Sequence, residues 1–422
     1  MGPDEPAHIH RANLPLLGHL LGTRKEDSSG IYGGGLINVA VAEAMPPYMR
    51  IVGTSDVVQR ADYVKTHDLR WDGRTVFAVY PNTAVYPPFF YIPQTIALAV
   101  GKFAGLPVVR TLYLARGTNA LACLAIGIWA LFIAGRARPA IFTILMMPMS
   151  VALYAMVTQD GLCLATTALG CAFITSAVSD RRKMTLGEVC GAAVCFALVG
   201  MSKPPYAVFA LVLLAAPVVR PKWKYWASAA ALAASIGWAA WMALAVETNL
   251  NPDLFDPAGQ VRFLVDHPRA VFAIAKQTLS MHISHYIREF IGVLGWLDTP
   301  LPSSFYPVAG VALVLSFTLC MSRERRSAMT VMSLTAAVIS VALIFGALYV
   351  TWTPVGAPVV QGVQGRYFLP VALVLVLTIL HDKPLFQAGQ VTERVASLVV
   401  LGFPVLSLMV TERAVIVRYY LG

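Results

Sequence analysis

The first twelve residues combine several side chains that can do chemistry. Asp4 and Glu5 supply two carboxylates, His8 an imidazole and Arg11 a guanidinium, and prolines flank the acidic pair. A carboxylate held near a histidine can act as a general base or as a metal ligand, so we expect Asp4 or Glu5 to take a proton from an incoming hydroxyl group. The structural alternative is that these residues only form the first turn of a helix, where Asp, Glu and Pro are common.

The composition defines the environment of these residues. The chain has 422 residues, of which 57% are hydrophobic and only 13% are charged. Soluble domains have about 25% charged residues, so the sequence indicates a polytopic membrane protein. The net charge of +10 is attributed to cytoplasmic loops and lipid head groups, because no basic and aromatic interleaving suggests a nucleic-acid groove. The six cysteines lie in apolar stretches without metal-ligand spacing and indicate small buried side chains.

Residues 1–108 are predicted to form a first extracytoplasmic loop with juxtamembrane helices. The apolar pieces at 14–21 and 36–44 are shorter than the ~20 residues that span a bilayer. A helix over residues 89–103 would cover about 22 Å, less than the ~30 Å hydrocarbon core. We therefore expect that helix to lie on the membrane surface or to be re-entrant.

The remaining chain predicts an all-α fold, a transmembrane helical bundle with about ten spans. Transmembrane helices fill 109–246 and 305–422, and the segment 247–304 between them predicts two amphipathic helices on the outer surface followed by a rigid turn at 295–302. The predicted spans are 109–134, 139–157, 161–178, 186–201, 205–219, 225–246, 305–321, 327–350, 366–381 and 394–412.

Basic residues follow every second predicted span and set the orientation. By the positive-inside rule, the loops that carry them face the cytoplasm, so residues 1–108, 158–160, 202–205, 247–304 and 351–365 face outward. The chain then starts outside without a signal peptide, and we expect an apolar helix to precede Met1. The basic residues are Arg136, Arg138, Arg181, Arg182, Lys183, Arg220, Lys222, Lys224, Arg323, Arg325, Arg326, His381 and Lys383.

This orientation gathers polar residues on the outer side. Arg366 follows a turn with two glycines and could bind a phosphate in bidentate fashion. The structural alternatives are an N-cap for Asp160 and a snorkelling side chain for Lys203. Arg116 lies inside the first predicted span, where it should pair with a carboxylate or a lipid phosphate. The outer set is Asp4, Glu5, His8, Arg11, Asp160, Lys203, Arg288, Asp298, Gln361, Gln364 and Arg366.

Several motifs occur in an order that resembles a known bacterial family, the predicted membrane proteins catalogued as domain of unknown function 2142. The likeness covers nearly the whole chain, and this family in turn looks like the GT-C glycosyltransferases, which use polyprenyl-phosphate sugars. The motifs are Pro3-Asp4-Glu5-Pro6-Ala7-His8 with Arg11, Tyr86-Pro87-Pro88 through Gln94, Arg116 with Asn119, Gln159-Asp160-Gly161, Lys203-Pro204-Pro205-Tyr206, Gly295-Trp296-Leu297-Asp298 and Gln364-Gly365-Arg366-Tyr367.

The resemblance implies GT-C-like topology and an enzyme of the bacterial inner membrane with an extracytoplasmic active face. It implies a catalytic acid in the first outer loop, which Asp4 and Glu5 match, with His8 orienting the acid or binding a divalent metal. The donor would be a polyprenyl-phosphate sugar and the acceptor an envelope glycan or lipid. Family members should have a helix before the acidic motif, which agrees with our expectation of an apolar helix before Met1. The expected substrate-binding residues are Arg11, Tyr86, Arg116, Asp160, Lys203, Asp298, Gln364 and Arg366.

Two other functions fit the same residues. A transporter or flippase of lipid-linked sugars would use the same cationic cavity without forming a glycosidic bond, although paired broken helices are not evident in the sequence. A non-catalytic scaffold in envelope assembly is the third reading, and the clustering of outer charges argues against it.

Overall fold

The computed structural model describes residues 2–27, 30–246, 254–321, 327–379 and 391–421. The predicted cytoplasmic residues Arg323, Arg325, Arg326, His381 and Lys383 lie outside this described part, as does the end of the predicted span 366–381. Helices dominate what is described, in agreement with the prediction of an all-α membrane protein.

The region before the bundle contains short helices and a small sheet. Strands β1, β2 and β3 form an antiparallel sheet in that order, with Thr23 opposite Gly34 and Gly34 opposite Val79. The sheet was not predicted, because the glycine-rich β2 lacks the alternating apolar pattern that indicates a strand. The elements are α1 Glu5–Asn13, a 3₁₀ turn Leu14–Leu17, β1 Thr23–Asp27, β2 Gly30–Asn38, α2 Val39–Glu43, α3 Pro46–Met49, α4 Arg60–His67, β3 Thr75–Val79, α5 Pro81–Ala84, a 3₁₀ turn Pro88–Tyr91 and α6 Ile92–Phe103.

The bundle follows from Val108. Helix α10 is its central member, since nearly all of its residues are buried, whereas α7 leaves most of its surface open to lipid. The elements are α7 Val108–Ile133, a 3₁₀ turn Gly135–Ala137, α8 Arg138–Leu145, α9 Pro148–Tyr154, α10 Asp160–Ser179, α11 Leu186–Ser202, a 3₁₀ helix Pro204–Ala215, α12 Pro221–Ala245, α13 Pro257–Asp266, α14 Ala270–Gly292, β4 Val293–Leu294, β5 Thr299–Pro300, α15 Phe305–Cys320, α16 Ser327–Thr351, a 3₁₀ turn Gly365–Phe368, α17 Leu369–Leu375, a 3₁₀ turn Val376–Thr378, α18 Val391–Ile416 and a π turn Val417–Leu421.

Five described helices are long and apolar enough to cross a membrane, and they match five predicted spans. A chain with several such helices is a multi-pass membrane protein. Four further predicted spans, at 186–201, 205–219, 305–321 and 366–381, coincide with shorter apolar helices, so the count of ten spans stays a prediction. The five long helices are Val108–Ile133, Asp160–Ser179, Pro221–Ala245, Ala328–Thr351 and Glu393–Leu421.

The predicted span 139–157 is broken in the structure. Helices α8 and α9 meet at an angle of 78° across Met146 and Met147. Met147 is extended, with φ −60° and ψ 143°, because Pro148 disfavours helical geometry in the residue before it. The chain therefore turns here instead of continuing as one helix.

The segment between the two helical halves contains helices at the two places where the sequence predicts them, α13 and α14, and their location on the outer surface stays a prediction. Strands β4 and β5 pair as a small hairpin. Gly295 and Leu297 adopt positive φ values of 61° and 60° inside this hairpin, which makes the rigid turn predicted at 295–302.

The basic loops among the described residues share one end of the bundle. The Arg136 N–H donates to Ser179 Oγ at 3.0 Å, and the Met184 N–H donates to Pro217 O at 2.6 Å. These contacts join the basic segments 136–138, 181–183 and 220–224. Helix α10 runs from Asp160 to that end, and α11 returns to the opposite end, where Lys203 follows it.

Candidate functional site

Asp4 holds an unusual position before α1. Its φ of 61° is left-handed, a conformation that Asp tolerates better than most residues, and its side chain does not cap the helix. Instead, Asp4 Oδ2 accepts from Arg366 Nη2 at 3.1 Å, and Oδ1 is 3.5 Å from Asn82 Nδ2. The side chain is 38% exposed. The helix-capping alternative is therefore wrong for this carboxylate, which remains accessible.

Glu5 differs from Asp4 in its burial and in its partners. Its side chain is fully buried and accepts from Gly2 N at 3.1 Å, from Val157 N at 2.9 Å, and from Arg116 Nε and Nη2, each at 2.8 Å. Burial alone would raise the pKa of Glu5, but the Arg116 charge and these hydrogen bonds hold that pKa below its ordinary value. Glu5 is thus the carboxylate that Arg116 was expected to find, and the pair fastens α1 to α7.

Four charged side chains from distant parts of the sequence meet at this end of the bundle. We call Asp4, Asp160, Lys203 and Arg366 the ionic cluster. Lys203 Nζ lies 2.7 Å from Asp160 Oδ1, and Arg366 Nη1 lies 3.5 Å from Asp160 Oδ2. The ring of Tyr367 is 4.6 Å from Lys203 Nζ and 5.5 Å from Arg366 Cζ. Two cations and two anions give the cluster no net charge, which makes their burial tolerable.

The proposed simpler roles of Asp160 and Lys203 do not describe their contacts. Helix α10 begins at Asp160, but no side chain caps it, and the Asp160 carboxylate faces Lys203 and Arg366. Lys203 is only 16% exposed and pairs with Asp160, so it does not snorkel to the interface.

Several buried polar atoms around the ionic cluster have no hydrogen-bond partner among the described residues. Because buried polar groups are nearly always satisfied, such a concentration marks a place where water or a polar ligand completes the structure. The atoms are Gln159 Oε1, Ser202 Oγ, Gln364 Oε1 and Arg366 Nε.

His8 and Arg11 support this site from behind. His8 Nδ1 is 2.6 Å from Tyr91 Oη, and its ring stacks on Tyr86 with a 5.9 Å centroid separation. Burial lowers the pKa of His8 to about 4, so the ring is neutral at pH 7. Arg11 is fully buried and donates to the carbonyls of Tyr86 and Leu20, which makes it a brace for Tyr86 outside the ionic cluster.

Three residues of the predicted outer set lie elsewhere. Asp298 accepts from Arg418, Tyr419 and the Gly53 N–H, and in this way joins the 293–300 hairpin to the π turn at the end of the described chain. Arg288 is exposed, over the Tyr306 ring, and Gln361 is also exposed. The structure does not bring these three residues into the ionic cluster.

Two cavities flank the site. One, of about 180 Å³, opens beside Lys203 and Tyr86 and has an apolar wall from α16 that includes Ile344 and Leu348. The other, of about 300 Å³, is mostly apolar and is lined by Gly2, Glu5 and Arg116 together with four tyrosines, Tyr48, Tyr113, Tyr419 and Tyr420. A third gap of about 10 Å³ lies among Asp160, Lys203 and Arg366. The first cavity therefore gives access to Lys203, and the second to Glu5 and Arg116.

Sequence reasoning missed three members of the site. Asn82, which contacts Asp4 from the short helix α5, carries no local signal. Tyr91, which contacts His8, lies within the motif from Tyr86 to Gln94, but nothing in that motif distinguishes it from its neighbours. Tyr367 follows Arg366 in a quoted motif, and its ring under both cations could have been anticipated only from that adjacency.

The described residues do not offer an evident metal site. Within 2–27, 30–246, 254–321, 327–379 and 391–421, no group of three or more His, Cys, Asp or Glu side chains is arranged to hold a metal ion. The hydrogen bond to Tyr91 uses only one ring nitrogen of His8, Nδ1, so its expected role as a metal ligand stays a prediction.

Comparison with known proteins gives one match. A family model described as a predicted membrane protein (DUF2142) matches residues 1–375. This range includes the whole ionic cluster. No curated protein matches the chain, and no solved structure matches it.

Proposed function

The chain belongs to the DUF2142 family of predicted membrane proteins, and we propose that it is an integral membrane glycosyltransferase. In this proposal it transfers a sugar from a polyprenyl-phosphate donor to a hydroxyl group of an envelope glycan or lipid. The observation that carries the proposal is the ionic cluster, in which two nearly buried cations, Lys203 and Arg366, lie beside the accessible carboxylate of Asp4. The expected likeness of this family to the GT-C glycosyltransferases suggests the same reaction class.

Lys203 and Arg366 would hold the donor phosphate. Arg366 is 3% exposed and its Nε has no hydrogen-bond partner among the described residues, so it retains a donor for a phosphate oxygen. The prenyl tail would leave through the 180 Å³ opening and lie along Ile344 and Leu348 of α16. In the ionic cluster, the Asp4 carboxylate accepts a hydrogen bond from Arg366. A phosphate that binds Arg366 would displace this carboxylate.

That exchange would release Asp4 for its role as general base. Asp4 would take the proton of the acceptor hydroxyl, whose oxygen would attack the anomeric carbon of the sugar as the bond to the phosphate oxygen breaks. The products are the glycoside and polyprenyl phosphate, whose charge Lys203 and Arg366 would offset. A single displacement of this kind inverts the anomeric centre.

The arrangement of charges supports an extracytoplasmic active face in the bacterial inner membrane. The basic segments 136–138, 181–183 and 220–224 lie at one end of α10 and α11, and the ionic cluster lies at the other. Twenty helical residues in α10 cover about 30 Å, the thickness of the hydrocarbon core. If the basic end is cytoplasmic by the positive-inside rule, the cluster faces outward.

The test is product formation by the purified protein in detergent. A panel of synthetic polyprenyl-phosphate sugars is supplied with envelope glycan or lipid acceptors, and new glycosidic bonds are detected by mass spectrometry. Asp4→Asn and Arg366→Gln should each lower turnover by about 100-fold or more, the usual effect of removing a general base or an oxyanion contact. Asp68→Asn removes an exposed acid of the same outer region and serves as the matched control.

The same assay separates the alternatives. Full activity of Asp4→Asn would contradict the assignment of the base. If the protein moves a labelled lipid-linked sugar across proteoliposome membranes and forms no new bond with any donor, it is a transporter and the proposal is wrong.

A further inference from the structure

Side chains of helices α13 and α14 bind the backbone of the loop that leads to Arg366. Between α16 and Arg366 the chain runs over these helices, and three of its N–H groups donate to side chains that the helices supply. All three acceptor side chains are buried. The pairs are Gly356 N with Gln260 Oε1 at 2.9 Å, Val360 N with Thr278 Oγ1 at 2.9 Å, and Gly365 N with Glu289 Oε2 at 2.6 Å.

Glu289 makes the contact nearest to the ionic cluster. It is 1% exposed, although glutamate is rarely buried, and its second oxygen lies 2.8 Å from His285 Nε2 one helical turn earlier. Glu289 therefore combines a hydrogen bond to the loop with a partner on its own helix.

Gly365 shows how closely the loop lies on α14. A Cβ at this position would be 2.1 Å from Tyr286 O and 2.5 Å from Phe290 N, both backbone atoms of that helix. The backbone at Gly365 is thus held against α14 both by this close contact and by the bond to Glu289. Arg366 comes next in the chain, so its starting point is fixed as well.

We infer that Glu289 is the positioning residue for Arg366. Through the Gly365 N–H it sets the distance at which the Arg366 guanidinium meets Asp4 and Asp160, at 3.1 and 3.5 Å. The inference deepens the proposed function and rests on it in one respect, namely that the ligand of Arg366 is a phosphate. The geometric part stands without any assumption about the reaction.

The geometric part is tested by a double-mutant cycle on thermal unfolding in detergent. Glu289→Ala, Arg366→Gln and the double variant are compared with the wild type. If Glu289 acts through Arg366, the double variant should lose less in melting temperature than the two single losses added together, because the cluster geometry can be lost only once. Asp266→Asn, an exposed acid on α13, should add independently to Arg366→Gln and is the control.

Two further variants separate positioning from general stability. Glu289→Gln keeps an oxygen for the Gly365 N–H, so it should retain wild-type protection from hydrogen exchange over residues 360–368, whereas Glu289→Ala should exchange there about tenfold faster or more. Binding of polyprenyl monophosphate should weaken by about tenfold in Glu289→Ala and stay near wild type in Glu289→Gln. In the transfer assay the loss should appear in KM for the donor, with kcat nearly unchanged.

The outcomes are distinguishable. Strict additivity with Arg366, or unchanged exchange over 360–368 in Glu289→Ala, would overturn the positioning role. If the double-mutant cycle shows coupling between Glu289 and Arg366 while the wild-type protein binds no polyprenyl monophosphate, that result would support the positioning role and contradict only the proposed function.

Discussion

The two neighbouring acids provide the sharpest test of the site, because the structure gives them opposite roles. Glu5→Gln should destabilise the protein, whereas Asp4→Asn should leave it folded and inactive. The difference follows from burial: the Glu5 side chain is fully buried and bound by Arg116, and the Asp4 side chain is 38% exposed. Sequence alone treats the two residues alike.

The magnitude for Glu5 follows from its partners. Removing one member of a buried ion pair typically costs about 3–5 kcal/mol. Arg116 is 29% exposed and glutamine keeps one oxygen acceptor, so we expect the lower part of this range, about 3 kcal/mol. For Asp4→Asn we expect about 1 kcal/mol, the upper value for an exposed ion pair, because Asp4 is 38% exposed and Asp160 still faces the buried Arg366.

The assay is thermal unfolding of the purified variants in detergent, followed by intrinsic tryptophan fluorescence across a range of pH. Because the folded-state pKa of Glu5 lies below its unfolded value of 4.5, its ionic contribution is fully present above that pH and is lost as the pH falls through the folded pKa. The gap between wild type and Glu5→Gln should therefore be constant near neutral pH and narrow only at strongly acidic pH.

The result that would refute this reasoning is the reverse pattern. In that pattern, Glu5→Gln has the melting temperature of the wild type but lacks transfer activity, while Asp4→Asn is active. Glu5 would then be the functional acid, and its ion pair with Arg116 would not stabilise the fold. Arg116→Gln serves as the partner control and should destabilise the protein to a similar degree as Glu5→Gln.

Three further predictions follow from single contacts. As the pH falls from 6.5 to about 4, His8 should cost the wild-type protein up to about 3 kcal/mol of stability, because the unfolded chain binds a proton at His8 and the buried ring does not. In a pH-dependent melting series, His8→Gln should remove this part of the loss. Gly365→Ala should lower the melting temperature and weaken polyprenyl monophosphate binding, because the alanine Cβ would clash with the Tyr286 carbonyl oxygen. An unchanged melting temperature would show that α14 moves to make room for this Cβ. Lys203→Met should destabilise by about 3 kcal/mol, because it leaves Asp160 buried with a single cation, and Lys203→Arg should restore most of the loss in the same melting assay.

The sequence determined the class of the protein and much of its helical framework. Long apolar runs predict membrane helices from local composition alone, and five such runs are long apolar helices in the structure. Helices α13 and α14 and the turn at 295–302 were also predictable, because their signals lie within a few consecutive residues. The family relationship likewise follows from sequence alone, because the family model matches residues 1–375.

Other features required tertiary packing. The small sheet at 23–79 depends on pairing of the glycine-rich β2 with β1 and β3. The break between α8 and α9 has a local cause in Pro148, but the apolar run on both sides of this proline predicts one continuous helix. The different roles of Asp4 and Glu5 depend on which carboxylate faces Arg116 across the interface between α1 and α7. No local pattern distinguishes two adjacent acids.

Only the folded chain brings Asp4 within 3.1 Å of Arg366, which lies 362 residues away in the sequence. Sequence identified both residues as candidates from their charge and their predicted side of the membrane. Their contact, and the support that Glu289 gives through the Gly365 N–H, depend on distances set by helix packing, and composition holds no record of those distances.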